Sequence, residues 1–418
     1  MLYSESQNPG QPVTESEAEK ILSSGLAKAN LVGKKVLVLL PDNTRTCPLP
    51  MMFRKMVATL SPIVSRLDFL IALGTHQPMS DAAINKMLGL TAEERAAKFG
   101  NIGIYNHHWE KPETFQTLGA LSADTVETVT NGLMRENVEI GVNRMVLDYD
   151  VNIILGPTYP HEVVGFSGGL KYFFPGIGNF DFINFFHWLG AVLTCFDVIG
   201  KKETPVRRVI NEAAKLLPRP VINVNMVVNE GTLVGIFVGD PYESWSKAAD
   251  LSDKCHIVYK EKPYKLVIGI APEMYDELWT AGKVMYKLEP VVADGGELII
   301  YAPHVNEISL THGKHIEQVG YHIRDYFRKQ WKKFSHFPGG VLAHATHVRG
   351  LGTFENGVEK PRITVTLATG IPQRLTETIA LNYRDWQTLN VDSFRNREQE
   401  GILVVDHAGE VLHRLRAD

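Results

Sequence analysis

The chain has 418 residues but only three cysteines, Cys47, Cys195 and Cys255. They are far apart and form no CxxC pair, which argues against a thiolate metal site and fits a reducing compartment. The formal net charge is only -4, so the charge balance offers nothing to attract nucleic acid or an anionic membrane surface. No uninterrupted apolar run reaches the roughly 18 residues that a membrane span requires. The motifs GxxxxGK[ST], GxGxxG and HExxH are also absent, so no Walker loop, dinucleotide fingerprint or helical zinc motif is written in the chain. The first twenty residues are polar and acidic and do not read as a secretion signal, which makes the cytoplasm the expected address.

At 44% hydrophobic and 22% charged, the sequence is that of a globular protein, long enough for two cores. Short Val/Ile/Leu-rich runs stopped by turn residues predict parallel strands at 35–40, 67–73 and 151–155. Helical patterns lie between them at 15–29, 50–60 and 80–88. Thr14 and Glu17 give the first of these a capping signal. A second set of strands is predicted at 265–270, 297–301, 341–345 and 363–367, with one helical stretch over 316–334. The expected fold class is α/β: two α/β domains with mostly parallel sheets and an active-site cleft between them. The first domain, which binds cofactor and carries catalysis, spans 1–262. The second, which closes on substrate, spans 263–401. The last run, 402–406, returns to either domain, so 402–418 is available to complete the first.

Ligands of open α/β sheets bind beyond the carboxyl ends of the strands. Three expected strands end in polar clusters, DNTR (42–45), GTHQP (74–78) and GPTYPH (156–161). That convergence places Asp42, Arg45, His76 and His161 around one crevice. A fourth segment, HEVVGFSGGLKYFFPGIG (161–178), sets Lys171 among apolar and aromatic residues, with His187 downstream. Taken alone, Ser167-Gly168-Gly169 reads first as a plain turn and second as a backbone cradle for phosphate. From spacing alone, Lys171 reads first as a surface lysine lying on Phe173 and second as a desolvated nucleophile or covalent anchor. Arg45 fits a carboxylate clamp and equally a solvated side chain beside a helix cap. The pair His107-His108 and the set His304, His312 and His315 read first as surface or loop residues and second as metal ligands.

In the order DNTR, GTHQPM, HEVVGFSGGLKYFFPGI and then His187, the sequence resembles the nickel-pincer-nucleotide-dependent lactate racemase family of 2-hydroxyacid racemases and epimerases. The resemblance continues more weakly through YDELWTAGKVM (275–285). It implies a nickel pincer nucleotide, a nickel pyridinium-3,5-bisthiocarboxylate mononucleotide, attached covalently to Lys171. It implies cofactor contacts from Asp42, Asn43, Thr44, Arg45, Ser167, Gly168 and Gly169, and a nickel ligand in His187. His76 and His161 match the acid/base pair; Arg45, Lys283 and Thr280 fall at substrate-contacting positions. The implied partners are a small 2-hydroxyacid and the proteins that build and load the cofactor, with no nucleic acid and no membrane.

The sequence departs from the family pattern at three places. Gln77 stands where the family has an arginine, Thr280 where it has a glutamine, and Leu170 where it has a basic residue. These changes spare the cofactor positions and alter the pocket, which points away from lactate toward a larger or sugar-derived hydroxyacid. Trp279 and Tyr275 join the residues that shape this pocket, with a core role open for Trp279. Two rivals remain at this stage: an NAD-using oxidoreductase and a non-catalytic small-acid binding protein on the same fold. The full set of chemical groups favours the racemase.

Overall fold

The computed structural model describes residues 1–7 and 10–416. The chain divides into two compact units. The first comprises Met1–Tyr159, Phe166–Ile183 and Arg207–Cys255, and the second Pro160–Gly165, Asn184–Val206 and His256–Asp418. A division at 262/263 puts His161 and His187 in the first domain; in the structure their segments group with the second unit. Lys287 Nζ bonds the Pro160 carbonyl, and Arg324 Nη1 donates to Val192 O at 3.1 Å. Arg414 Nη1 donates to Ile199 O at 2.9 Å.

The first unit is built on seven strands: β1 (Leu2–Gln7), β2 (Lys35–Leu40), β3 (Arg66–Ile71), β4 (Ile104–Asn106), β5 (Val151–Pro157), β6 (Val221–Asn229) and β7 (Thr232–Gly239). Their order across the sheet is β1-β7-β6-β5-β2-β3-β4. Strands β6, β5, β2, β3 and β4 run parallel, and β7 and β1 add antiparallel pairs at one edge. The central strands are apolar without alternation because both faces are covered: 36–40 in β2 and all of β5 are buried.

The flanking helices form as the sequence directs. Thr14 Oγ1 caps Glu15–Ala27 by accepting from Glu17 N at 3.2 Å, and Ser80 caps Asp81–Leu88 in the same way. Leu49–Leu60 buries Met52, Phe53, Met56 and Leu60, a helical stripe packed on the same core as Val36, Val38 and Leu40.

The second unit carries β8 (Tyr264–Ile270), β9 (Val292–Ala302), β10 (Thr364–Thr369), β11 (Asn382–Tyr383) and β12 (Ile402–Val405). Their order is β11-β10-β9-β8-β12, all parallel. The last strand therefore pairs within the second unit. Two expectations are corrected here. Residues 341–345 are not a strand; they lie in the helix Gly339–Arg349, whose positions 341–348 are all buried. A helix buried on every side shows no polar stripe, so its apolar run imitates a strand. The stretch 316–334 is not one helix but three, Gly313–Val319, Arg324–Lys329 and Trp331–Phe334. Gly320 ends the first at φ +70, outside the helical region. Among the described residues no helix is long and apolar enough to cross a membrane.

Candidate active site

In the first sheet the chain runs from β2 to β3 and β4 on one side, then returns to place β5 and β6 on the other. The order therefore reverses between β2 and β5, and the carboxyl ends of these strands open a crevice at the switch point. Asp42, Arg45, His76, Ser167, Gly168 and Lys171 line one pocket there.

Asp42 follows the end of β2 and is 6% exposed. Its Oδ1 accepts from Thr44 N at 3.0 Å and Thr44 Oγ1 at 2.7 Å, and its Oδ2 meets His76 Nδ1 in a short bond. Burial by itself would raise the Asp42 pKa. The charge and hydrogen bond of His76, then Arg45 and Thr44, outweigh it and hold the carboxyl well below the usual carboxylate range. Asp42 thus fixes the imidazole by one nitrogen, as an orienting carboxylate does for a base.

The turn that carries His76 is held from two further sides. Trp109 Nε1 donates to the His76 carbonyl at 2.9 Å, and Gly74 N donates to Gly176 O at 2.9 Å. Asn106 brackets Met79, accepting from its N at 3.0 Å and donating to its O at 2.8 Å.

The glycine turn passes against the end of β5. A Cβ on Gly168 would lie 2.5 Å from Thr158 Oγ1, and its φ of +79 also disfavours any side chain. Lys171 follows on the short turn Gly169–Tyr172, half-buried. Tyr172 closes the wall so tightly that a Cβ on Gly156 would lie 1.8 Å from its hydroxyl. Asn43, Thr44 and Gly169 do not line the pocket. Thr44 instead fixes Asp42.

In the second unit, His161 is 8% exposed, and its Nδ1 accepts from Val163 N at 3.1 Å. The same nitrogen lies 3.3 Å from Glu162 Oε2. His187 lies on the helix Phe180–Leu193, edge-on to Phe186, and a Cβ on Gly340 would be 3.9 Å from its Nδ1. Lys283 Nζ sits 4.7 Å from the Tyr275 ring centroid. The Thr280 hydroxyl donates to Glu277 O at 2.9 Å. Trp279 is sandwiched between His344, at 4.0 Å and 7°, and His312, at 4.4 Å.

Comparison with known proteins finds lactate racemases among those similar to this chain. Residues 2–194 match the lactate racemase N-terminal domain. A lactate racemase from Thermoanaerobacterium thermosaccharolyticum is 25% identical over 278 residues, 64% of this chain and 60% of that protein's length. A crystal structure of a Thermotoga maritima protein superposes with a TM-score of 0.88 at 32% identity, covering 97% of this chain and 99% of that one.

Residues 2–194 of the chain are a lactate racemase N-terminal domain.

The structure of the lactate racemase apoprotein from T. thermosaccharolyticum shares the fold, with a TM-score of 0.73 at 18% identity over 96% of this chain and 93% of that one.

Against the lactate racemase pattern, the departures have different settings. Gln77 is exposed on the His76 turn, Leu170 is half-buried beside Lys171, and Thr280 is buried. Sequence reasoning missed Trp109 and Asn106, which hold the His76 turn, and Arg207 and Trp245, whose side chains bond the carbonyls of residues 166–168. None belongs to a motif, and each acts through a backbone atom of a distant loop, which leaves no local signal.

The Trp279 sandwich has a consequence for acid stability. Burial, only partly offset at His344 by its hydrogen bond to Trp279 O, lowers the pKa of His344 and His347 to about 3. The ordinary value is about 6.5, so between these limits the unfolded chain binds more protons than the folded one. The stability these two groups contribute is full above the ordinary value and is lost as pH falls toward the folded one. The urea midpoint is expected to drop across that window, and His344→Gln is expected to make the slope shallower. An equal slope in wild type and variant would show that His344 is not a source.

Proposed function

We propose that this protein is an isomerase that inverts C2 of a 2-hydroxyacid, with a nickel pincer nucleotide attached to Lys171. The observation that carries the reading is the pocket at the switch point, where an amine, a guanidinium and a carboxylate-backed imidazole share one wall. The residues present fit the group. Lys171 lines the pocket with Asp42, Arg45 and His76, on a turn whose glycines let it pack closely on Thr158 and Trp245. Among the described residues no three His, Cys, Asp or Glu side chains cluster to hold a bare metal, which is consistent with nickel arriving inside the nucleotide.

When bound, the nucleotide supplies a pyridinium ring that accepts hydride and a nickel ion beside it. The chain supplies the rest. Lys171 would be the anchor and Asp42, Ser167 and Gly168 the contacts from the pocket lining, while Thr44 would act through Asp42, and Asn43 and Gly169 through the backbone of their turns. His187 is the nickel ligand, since imidazole suits nickel. Asp42 holds His76 Nδ1, which leaves Nε2 to take the hydroxyl proton of one enantiomer, and His161 serves the other. Arg45 and Lys283 hold the substrate carboxylate, Arg45 through its planar fork. His76 or His161 would take the hydroxyl proton, and the hydride-accepting chemistry that the bound nucleotide would supply would spare the substrate a carbanion next to its carboxylate. Gln77 and Thr280 favour an acid larger than lactate, such as a sugar-derived hydroxyacid.

The test is the intact mass of protein made with nickel and the cofactor-building enzymes, followed by a chiral assay over a panel of 2-hydroxyacids. An added mass equal to the nucleotide and inversion of at least one acid are expected. Absence of the adduct, under conditions that load the T. thermosaccharolyticum racemase, would overturn the reading.

A further inference from the structure

Arg207 is 1% exposed, on the helix Pro205–Ala214. Burying a guanidinium costs several kcal/mol unless its hydrogen bonds are satisfied. Here two of its nitrogens bond one loop. Nη2 bonds the Phe166 carbonyl, and Nη1 donates to Gly168 O at 3.4 Å. The residue between them is taken by Trp245, whose Nε1 donates to Ser167 O at 2.8 Å. Trp245 is itself 1% exposed and stacks under Arg207, with Cζ 4.0 Å from the ring centroid. Three consecutive carbonyls are thus held by two side chains that also hold each other.

The remaining bonds of Ser167 go elsewhere. Its N donates to Tyr159 O at 2.8 Å, and its Oγ accepts from Tyr159 N at 2.9 Å. Gly169, at φ +61, leaves 3.0 Å between a notional Cβ and Trp245, so the indole also sets the path of the turn. Lys171 N then donates to Gly168 O at 3.4 Å, the same carbonyl that Arg207 holds. The clamp and the lysine turn share an atom.

We infer that Arg207 and Trp245 are positioning residues that fix the glycine turn and present Lys171 to the pocket. The inference rests on the proposed role of Lys171 as anchor. Lysine cannot replace Arg207, because one ammonium on a flexible stem does not reproduce a planar fork that reaches two carbonyls. Phenylalanine in place of Trp245 keeps the stack and loses only the N–H.

The experiment is amide hydrogen exchange by mass spectrometry on the full chain without cofactor, in wild type, Arg207→Lys and Trp245→Phe. The mild Trp245→Phe change keeps the test alive if the arginine variant fails to fold. Exchange over 166–173 is expected to accelerate about tenfold, as loss of one charge-assisted or buried hydrogen bond implies, with 35–40 and 66–71 unchanged. In loaded preparations the same variants are expected to carry less adduct than wild type. Unchanged exchange over 166–173, or equal acceleration in all three segments, overturns the inference, since the latter is general loss of stability. Failure of the anchor reading is seen separately, as a wild type without adduct, and does not alter what the exchange rates say of the clamp.

Discussion

Lys171→Ala is expected to carry no added mass at all when it is made beside wild type with nickel and the cofactor-building enzymes. Inversion of any 2-hydroxyacid is expected to fall to background. The effect is total because a covalent attachment has one amine and no other side chain supplies it. The fold is expected to survive. Lys171 is half-buried, and two bonds within its turn are made by backbone atoms: N to Gly168 O at 3.4 Å and O from Gly176 N at 3.0 Å. Alanine keeps both. Circular dichroism and the urea midpoint should therefore match wild type while the mass differs. An adduct retained by the variant would mean that the group is held by a different residue or without a covalent bond.

Asp42→Asn is expected to lower turnover about 10²- to 10⁴-fold, the range for removing a general base or misdirecting its proton. The amide oxygen of the variant can still accept both bonds from Thr44, so the local turn is preserved. The amide nitrogen then faces His76 Nδ1 in place of a carboxylate oxygen. An amide N–H donates, so Nδ1 must accept and the ring proton moves to Nε2. The nitrogen aimed at substrate becomes a donor and cannot take a proton. The variant should also lose the carboxylate's charge, which stabilises the imidazolium once it forms.

The same residue predicts a pH effect with a definite sign. The folded-state pKa of Asp42 is depressed, so its stabilisation is present above the ordinary Asp value of about 3.9. It is lost as pH falls below that value toward the folded one. Asp42→Asn removes this contribution, so its acid limb should be flatter than that of wild type. A parallel acid limb would show that the His76 contact does not stabilise the fold. Steady-state rates of loaded enzyme across pH would separate the catalytic effect from the structural one.

Much of this was legible in the sequence because the relevant signals are local. Val/Ile/Leu runs such as KVLVLL cannot be solvated and must form buried strands, and the polar residues that stop them necessarily lie at strand ends. That argument brought Asp42, Arg45 and His76 to one crevice, but it grouped His161 with them, and His161 does not line that pocket and belongs to the second unit. The fold class followed from the same alternation of strands and helices. The helix at 339–349 was misread for a physical reason: with every side chain of 341–348 buried, periodicity carries no information about the backbone.

Tertiary structure decided what each group does to its neighbours. The sequence contains Asp42 and His76 thirty-four positions apart and gives no sign that they bond, because the contact depends on β2 and β3 lying side by side. The grip of Arg207 and Trp245 on 166–168 is likewise invisible, since a side chain bound to a backbone carbonyl places no demand on residue type at the other end. The identities of the chemical groups, and the strand ends that collect several of them, are properties of the sequence. Which nitrogen of His76 is committed, which carbonyls are held and how closely glycine lets two segments approach are set only by packing, where distances of a few ångströms determine charge and proton position.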